Sequence, residues 1–276
     1  MQTKNDFILN QQKSIPIKNI LIFNQNQDPK QRYIFMKIIG RGGFGDVSLY
    51  YDNISKREVV IKKIIKSGKD EELRFYREIN ALKNIRSPYS VEYYDYYSDN
   101  NFYYIVMEKC DEDLNRFMEK HQIQDSTIKG ILLQLNEVFK IMLSNNIIHR
   151  DLKPQNILIK YNSQNSFIVK LADYGLSREF NNKSFSTLAG TPIYMAPELY
   201  NAIGNYIPIK CDLWAIGVII YQLKFKDINF ISFYQGIIPK RFDNGLLDDL
   251  VRRLIVVDPN KRISWNEYFN HPFFKN

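Results

Sequence analysis

The segment at positions 149–156 constrains this chain more than any other, because it places a carboxylate, cations and an amide in one short stretch. It reads His-Arg-Asp-Leu-Lys-Pro-Gln-Asn, with Arg150, Asp151 and Asn156 as chemically distinct groups. A charged stretch of this kind is most often a solvated turn. The segment therefore carries weight only if further segments with matching chemistry stand before and after it along the chain.

The composition limits the classes of protein to which the chain can belong. A chain of 276 residues with 45% hydrophobic residues can bury a sizeable core and is long enough for one large or two small domains. The net charge is +8, but the lysines and arginines are scattered rather than gathered into one run, so no specific nucleic-acid partner is expected. No apolar run approaches the roughly 18 residues of a membrane span, and the start lacks the apolar region of a secretory signal.

The two cysteines, Cys110 and Cys211, lie far apart in the sequence and form no Cys-x-x-Cys pair. This spacing suggests neither a disulfide framework nor a zinc site. A reducing setting inside the cell, in the cytoplasm, is therefore the expected location.

Residues 1–32 are rich in Asn, Gln and Lys and contain one apolar patch, Ile20–Phe23. Such a composition offers little surface that could offset the entropy lost on ordering, so this N-terminal extension is predicted to be largely disordered. The patch could instead add a strand to the domain that follows, and that alternative stays open.

A glycine-rich stretch, Gly40-Arg41-Gly42-Gly43-Phe44-Gly45, lies between two strand-like runs, 33–39 and 48–51. A lone Gly-x-Gly-x-x-Gly pattern is weak, and a dinucleotide-binding loop would lead from a strand into a helix. β-Branched and aromatic residues follow this stretch, so a hairpin is predicted. Its glycines would let backbone amides approach phosphate oxygens, and Phe44 at the tip would shield those oxygens from water.

Two charged residues stand beside predicted core positions. Lys62 closes the apolar run Val59–Lys62, where a lysine is ordinarily just solvated. Glu78 lies beside the core-facing stripe of a predicted helix over 70–85, where an unpaired carboxylate would be expensive to desolvate. An ion pair between Glu78 and Lys62 is therefore predicted, and a glutamate at the rim of an amphipathic helix is the alternative.

The remaining elements follow from the periodicity of the apolar residues. The pattern predicts strands over 91–97 and 102–107, a helix from 128 onward, and a hairpin over 157–159 and 168–171. Asp173-Tyr174-Gly175 follows the hairpin, and by itself it would read as an ordinary turn. A segment rich in hydroxyl groups, 176–195, comes next.

In this order the segments resemble the protein kinase family, from about Tyr33 to Phe274. The matching motifs are the glycine-rich hairpin, the Val-Val-Ile-Lys strand, the His-Arg-Asp-Leu-x-x-x-Asn loop, the Asp-Tyr-Gly triplet and Ala196-Pro197-Glu198. The resemblance implies an α+β, bilobal fold with a small β-rich N-lobe and a larger, mainly helical C-lobe. Within a kinase domain over 33–274, the lobes would span 33–107 and 114–274 and would join at a hinge over 108–113.

The resemblance also assigns roles to site residues, with ATP as the nucleotide and Mg²⁺ as the metal. Asp151 would accept the proton of the substrate hydroxyl, Lys153 would stabilise the transferred phosphate, and Lys62, held by Glu78, would bind the phosphates of ATP. The metal ligands would be Asn156 and Asp173. The residues in contact with the nucleotide would be Gly40, Arg41, Gly42, Gly43, Phe44, Gly45, Val47, Val60, Lys62, Met107, Glu108, Cys110 and Leu158.

Two departures from the family pattern affect this site. Val60 occupies a position that is commonly alanine, and its extra bulk would press on the adenine ring, with Leu158 as the floor of the pocket and Met107 as its gatekeeper. Tyr174 replaces the usual phenylalanine, and its hydroxyl would need a hydrogen-bond partner if the ring is buried.

The same resemblance implies a regulatory site and a scaffold, which includes a buried helix over 212–221. Thr187 occupies a place where many kinases are phosphorylated, and Arg150 would meet the phosphate and order the segment. Asp212 would bind the backbone of the 149–156 loop, and Glu198 would pair with Arg262.

Lys153 and Thr191 resemble the serine/threonine branch of the family, so serine and threonine side chains of protein substrates are the expected acceptors. An upstream kinase, or self-phosphorylation in trans, would act on Thr187. Gln155 argues against strong selection for basic peptides. The hinge and the segment before Glu198 are similar to those of ULK-like, autophagy-initiating kinases.

Two other classes of protein stay open. A pseudokinase scaffold is expected to lose Lys62, Asp151 or Asp173, and the chain keeps all three. A nucleotide-binding module that transfers no phosphate would also keep them, with Val60 or an inhibitory loop blocking the reaction.

Overall fold

A computed structural model describes residues 28–42, 45–162, 166–179, 191–200 and 208–275. Most of the predicted N-terminal extension, 1–27, lies outside the described residues, so its predicted disorder stays a prediction. The described chain begins with a short helix, α1 (Pro29–Arg32), capped by the Asp28 side chain. The described residues thus include the last part of the predicted extension, and the predicted domain boundary at Tyr33 stays a prediction.

The N-terminal part of the described chain is an antiparallel sheet with the strand order β1-β2-β3-β5-β4. The strands are β1 (Tyr33–Gly42), β2 (Gly45–Asp52), β3 (Arg57–Ile65), β4 (Tyr93–Ser98) and β5 (Phe102–Glu108). The register of β1 and β2 ends with Gly42 opposite Gly45. The glycine-rich stretch therefore joins two strands, as predicted, rather than a strand and a helix.

One long helix, α2 (Lys69–Asn84), belongs to the same part of the molecule. Its acidic first turn, Asp70 to Glu72, places negative charge at the positive end of the helix dipole. The buried face carries Phe75, Ile79 and Leu82. Glu78 lies on this buried face as well, so its carboxylate requires a partner inside the protein.

The C-terminal part is mainly helical. Its strands are β6 (Glu112–Asp113), β7 (Ile147–Ile148), β8 (Ile157–Tyr161), β9 (Phe167–Leu171) and β10 (Arg178–Glu179). Its helices are α3 (Leu114–Lys120), α4 (Asp125–Ser144), α5 (Pro197–Tyr200), α6 (Cys211–Phe225), α7 (Phe230–Tyr234), α8 (Gly245–Leu254), α9 (Trp265–Phe269) and α10 (Pro272–Lys275). β8 pairs with both β6 and β9, and β7 pairs with β10.

Helix α6 forms the centre of this part. It is apolar on all sides, and a helix of that kind is stable only when it is buried on all sides. Trp214, Val218 and Ile220 are fully buried. Helix α8 approaches closely at Gly217, where an added Cβ would lie only 2.8 Å from side-chain atoms of Leu254 and Ile255.

The β-rich N-terminal part and the helical C-terminal part confirm the predicted α+β, bilobal fold. The predicted helices and hairpins appear with shifts of a few residues at their ends. Among the helices that the structure describes, none combines the length and the apolar character needed to cross a membrane.

A buried ion pair ties α5 to the loop after α8. Arg262 donates hydrogen bonds from its two terminal nitrogens to the two carboxylate oxygens of Glu198, at 2.6 and 2.9 Å. It also donates to the Val256 and Lys210 carbonyl oxygens. The Arg262 side chain is completely buried, so removal of Glu198 would leave a charge without its counter-ion inside the protein.

We expect Glu198→Ala and Arg262→Ala each to lower the free energy of unfolding by about 3 to 5 kcal/mol, because breaking a buried pair leaves one desolvated charge behind. Arg253→Ala, which removes a largely exposed pair with Asp249, should change it by less than about 1 kcal/mol. Urea unfolding of the three variants measures both effects. Equal stability of all three would contradict this role of the Glu198 pair.

Candidate active site

Lys62, Glu78 and Asp173 meet at one point between the sheet, helix α2 and the turn after β9. The Lys62 Nζ atom donates to both carboxylate oxygens of Glu78 at 2.8 Å and to Asp173 Oδ1 at 2.8 Å. Lys62 and Glu78 are 5% and 2% exposed, so the pair predicted from the sequence is present and buried. The contact between Lys62 and Asp173 joins residues that are 111 positions apart in the sequence.

Burial and mutual charge shift the pKa values of Lys62, Glu78 and Asp173 in different ways. Burial opposes ionisation of Asp173, but Lys62 outweighs burial and holds the pKa of Asp173 below its ordinary value. Burial raises the pKa of Glu78 to about 7, although Lys62 acts in the opposite direction. Burial also opposes the charge on Lys62, but the two carboxylates raise the pKa of this ammonium above its ordinary value. When Glu78 is ionised, the cluster holds one cation and two carboxylates, so a further positive charge beside it would be stabilised.

The turn that carries Asp173 is fixed by a buried hydrogen bond. Asp173 adopts a left-handed conformation with φ 60° and accepts from the Gly175 amide. The Tyr174 ring is fully buried, and its hydroxyl lies 2.8 Å from Ser90 Oγ. The predicted need for a hydroxyl partner is therefore met by Ser90, which the sequence analysis did not identify.

The 149–156 loop is held by a carboxylate from helix α6. Asp212 accepts from the His149 amide at 2.7 Å and from the Arg150 amide at 2.9 Å, and all three residues are buried. His149 Nε2 lies 3.0 Å from the Ala172 carbonyl oxygen, next to Asp173. The loop and the Asp173 turn are thus fixed to each other as well as to α6.

Asp151 is surrounded by donors. Its Oδ2 accepts from Lys153 Nζ at 2.7 Å and from Asn156 Nδ2 at 3.1 Å. Its Oδ1 accepts from the Thr191 amide and hydroxyl, both at 3.0 Å. Lys153 Nζ also donates to the Thr191 hydroxyl oxygen at 2.8 Å. The structure therefore brings together four predicted residues from two separate segments, three from the 149–156 loop and Thr191, within hydrogen-bonding distance of one another.

A cavity of about 450 Å³ opens beside the Lys62 cluster, with Gly45, Lys62, Glu78 and Gly175 in its wall. Gly45 has φ +128°, and an added Cβ there would overlap the Lys63 carbonyl oxygen, so a glycine is required. Gly43 and Phe44 of the predicted hairpin tip lie outside the described residues. The cavity offers room next to the buried Lys62 cation.

Three of the side chains predicted to contact the nucleotide, Val47, Val60 and Met107, lie on the same face of the sheet as Lys62. Val47 stands opposite Lys62, and Val60 stands opposite Met107, and residues directly opposite each other share a face. Leu158 is half-buried on β8. Val60, Met107 and Leu158 do not line the 450 Å³ cavity, which lies between the end of β3 and the first turns of α2, with Ile65 and Arg74 in its wall. Arg41 and Gly40 belong to β1, and Arg41 is exposed.

The predicted hinge contains a buried carboxylate that the sequence analysis did not single out. Glu108 accepts from Lys170 Nζ at 2.6 Å, from Lys160 Nζ at 2.8 Å and from the Glu92 amide at 2.7 Å. These contacts join the end of β5 to the β8–β9 hairpin. The lysine within the apolar run Ile168–Leu171 is the feature of the sequence that could have indicated a buried carboxylate partner.

Burial raises the pKa of the Cys110 thiol, which lies in the same predicted hinge, to about 12, so this thiol is protonated at neutral pH.

The predicted regulatory residues are only partly described. Thr187 lies outside the described residues, whereas Thr191 contacts Asp151 and Lys153 as given above. Arg150 is buried in a left-handed conformation with φ 69°. Burial lowers the pKa of Arg77 on α2, and the charges of Arg150 and Arg74 lower it further. Arg77, which the sequence analysis missed, therefore adds a second cation near Arg150.

Comparison with known proteins agrees with this geometry. A family model described as the protein kinase domain matches residues 33–274. Calcium-dependent protein kinase 6 of Plasmodium berghei is 40% identical over 71% of this chain and 13% of its own length. Serine/threonine-protein kinase ATG1c of Arabidopsis thaliana is 33% identical over 87% of this chain and 35% of its own length. The chain spans between 13% and 62% of the length of such relatives.

The Tyr174–Ser90 hydrogen bond can be measured by a double-mutant cycle. We expect Tyr174→Phe to lower the free energy of unfolding by about 1 to 3 kcal/mol, because the buried Ser90 hydroxyl loses its partner. Adding Ser90→Ala should recover part of that loss, which gives a coupling energy of about 1 kcal/mol.

Tyr161→Phe is the matched control, because its hydroxyl bonds to Glu112 on the exposed surface. It should change the stability by less than about 0.5 kcal/mol. Strictly additive effects of Tyr174→Phe and Ser90→Ala would show that the two hydroxyls do not depend on each other.

Proposed function

This chain belongs to the protein kinase family, and from that premise we propose that it is a serine/threonine kinase that transfers the γ-phosphate of ATP to protein side chains. The observation that carries the proposal is the surrounding of Asp151, whose carboxylate is held by Lys153, Asn156 and Thr191. Phosphoryl transfer requires positioned groups rather than covalent help from the protein. A carboxylate fixed in this way suits the orientation of an attacking hydroxyl.

Lys62 would bind the α- and β-phosphates. Its raised pKa keeps the ammonium charged at any physiological pH, and Glu78 fixes its position at the wall of the cavity. Gly40, Gly42 and Gly45 would bring backbone amides close to the phosphates, and the tip formed by Gly43 and Phe44 would cover them.

Asp173 and Asn156 would hold Mg²⁺. Two features of the described residues fit this ion: the Lys62 cluster has one carboxylate more than its cations balance, and Asp173 and Asn156 offer the oxygen atoms that Mg²⁺ prefers. No group of three or more His, Cys, Asp or Glu side chains is gathered among the described residues. Mg²⁺ does not need one, because it is commonly held by one or two carboxylates together with phosphate and water oxygens. When bound, the ion would neutralise charge on the phosphates.

The adenine ring would lie against the face that carries Val60 and Met107, with Leu158 beneath it. Backbone groups of Glu108 and Cys110 would hydrogen-bond the base, as in other kinases. The contacts of the Glu108 carboxylate with Lys160 and Lys170 fix this backbone relative to β8 and β9. Val60 would press on the ring and alter the affinity for the nucleotide.

Asp151 would accept the proton of the attacking hydroxyl, and Lys153 would stabilise the transferred phosphate. Thr191 donates to Asp151 and accepts from Lys153, so it would hold both groups in place before an acceptor binds. Serine and threonine are the proposed acceptors, since the Lys153–Thr191 arrangement is similar to that of the serine/threonine branch. The relatives named above carry serine/threonine or protein kinase names, which supports this choice.

Phosphorylation of Thr187 would regulate the enzyme, through an upstream kinase or in trans by a second copy. Arg150 and Arg77 lie close enough for their charges to interact, and a phosphate would relieve that repulsion and order the segment between Leu176 and Thr191. Protein substrates and an intracellular, cytoplasmic location belong to this proposal. Similarity to ATG1c of Arabidopsis thaliana supports a relation to the ULK-like kinases.

We expect Asp151→Asn to lower the rate of phosphate transfer by about 10² to 10⁴, because the amide cannot accept the proton. The measurement is transfer from labelled ATP with Mg²⁺ to a generic protein acceptor, together with the thermal shift on ATP. Asp249→Asn, a surface carboxylate bound to Arg253 and His271, is the control and should leave the rate unchanged.

The same measurements distinguish a kinase from the two other classes of protein, a nucleotide-binding module that transfers no phosphate and a pseudokinase scaffold. No transfer by the wild type together with a thermal shift on ATP would favour a nucleotide-binding module. Neither transfer nor a thermal shift would favour a scaffold. Transfer that survives Asp151→Asn in full would contradict the proposed role of Asp151.

We expect Thr187→Ala to lower the activity of phosphorylated protein by about tenfold or more, and to make the remaining activity insensitive to phosphatase treatment. Ser186→Ala, which removes the neighbouring hydroxyl, is the matched control. If Thr187→Ala keeps full activity after expression with a competent activating kinase, phosphorylation of Thr187 is not the switch.

A further inference from the structure

The sheet of the N-terminal part carries an aromatic layer on the face opposite helix α2. We call it the aromatic face and define it by Tyr33, Phe35, Tyr50, Tyr97 and Tyr104. Tyr33 on one edge strand stacks on Tyr97 of the other edge strand, with ring centroids 5.8 Å apart. In a flat sheet four strand spacings of about 4.8 Å would separate these edges. The sheet is therefore curled around this face, and Tyr97 stacks in turn on Tyr104.

One end of the aromatic face is closed by the start of the described chain. The Arg32 guanidinium lies over the Tyr33 ring at 4.7 Å and donates to Asp52 at 2.9 Å and to Asp95 at 3.1 Å. Tyr33 beneath it is buried. The described chain before Tyr33, residues 28–32, thus approaches the sheet from this side.

The other end is open. Phe35, which contacts the Tyr50 ring edge-on, is 55% exposed, and Ile38 is 46% exposed. Ile38 stands opposite Ser48, which stands opposite the buried Ile61 of the same layer, so Ile38 belongs to this face. Exposed apolar side chains of this size, grouped together, mark a surface that another segment covers.

Strand β1 is open on its opposite face and along its edge as well. Ile34 is 50% exposed there, and β2 is the partner of β1 among the described strands. A strand with one solvated face alternates between polar and apolar residues, whereas a strand covered on both faces reads as a continuous apolar run. β1 reads Tyr33-Ile34-Phe35-Met36-Lys37-Ile38-Ile39, with Lys37 as its one charged residue and register shifts at Met36 and Ile39, and it resembles the second kind more than the first.

We propose that Ile20–Phe23 pairs with the open edge of β1 as a sixth strand, and that its side chains cover Phe35 and Ile38 on one face and Ile34 on the other. The segment is itself a continuous apolar run, Ile-Leu-Ile-Phe, which suits a strand that contacts apolar side chains on both faces. An added strand also satisfies the backbone groups of an exposed edge.

The length of the chain permits this pairing. Residues 24–27 and α1 connect Phe23 to Tyr33, and a link of a few extended residues spans about 3.3 Å for each residue. Ile38 lies along β1 from the closed end by a similar distance. The chain can therefore reverse at α1 and run antiparallel to β1 without crossing the sheet.

Hydrogen exchange of the β1 amides tests the proposal on the intact chain. In the wild type we expect the β1 amides that point away from β2 to exchange at least about tenfold more slowly than the outward amides of β4, the other edge strand. Leu21→Asp combined with Phe23→Asp should remove this protection and leave the amides of α6 unchanged. Phe7→Asp combined with Leu9→Asp, an equal change elsewhere in the extension, should leave β1 protected.

The wild-type measurement is decisive by itself if a variant fails to fold. Outward β1 amides that exchange as fast as those of β4 would overturn the proposal. So would protection that survives the Leu21 and Phe23 substitutions. Protection that increases with protein concentration, with a dimer in sedimentation, would assign the edge to a second copy of the chain and would also overturn it.

Discussion

The structure depends on a lysine held between two carboxylates. Lys62 comes from the sheet, Glu78 from helix α2 and Asp173 from the turn after β9, so their contact fixes three elements that are distant in sequence. A buried charge is tolerated only with its counter-charges in place. The contact therefore sets the position of α2 against the sheet and holds the Asp173 carboxylate against Lys62, which lines the cavity. The proposed binding of phosphates and Mg²⁺ rests on this arrangement.

A second carboxylate gives the C-terminal part an equivalent anchor. Asp212 projects from the buried helix α6 and accepts two consecutive amides of the 149–156 loop. The loop then presents Asp151, whose carboxylate is held by Asn156 of the same loop and by Thr191, 40 positions further along the chain. His149 bonds to Ala172 and so connects this loop to the turn that carries Asp173. The two anchored carboxylates, Asp151 and Asp173, are thereby held in a fixed relation before any substrate binds.

The sequence predicted those contacts in which each buried charge would be costly without its partner. A carboxylate beside an apolar stripe and a cation at the end of an apolar strand identified Glu78 and Lys62, and the order of motifs identified the fold. The sequence could not identify Ser90 as the partner of Tyr174, because the two residues lie 84 positions apart and serine is common in any loop. The lysines around Glu108 and the proximity of Arg77 to Arg150 depend on tertiary packing in the same way. The two ion pairs of Arg32 with Asp52 and Asp95 depend on tertiary packing as well, because the local sequence around Arg32 does not indicate them.

The central claim is that the buried cation Lys62 positions ATP for transfer to a hydroxyl amino acid. The most direct test is mass spectrometry of a protein acceptor after incubation with MgATP and either wild-type protein or Lys62→Met, which keeps the side-chain length without the charge. We expect phosphate on serine and threonine residues with the wild type, and a loss of about 10² or more in the amount transferred with Lys62→Met. Phosphate on tyrosine alone, or equal transfer by the two proteins, would contradict the account.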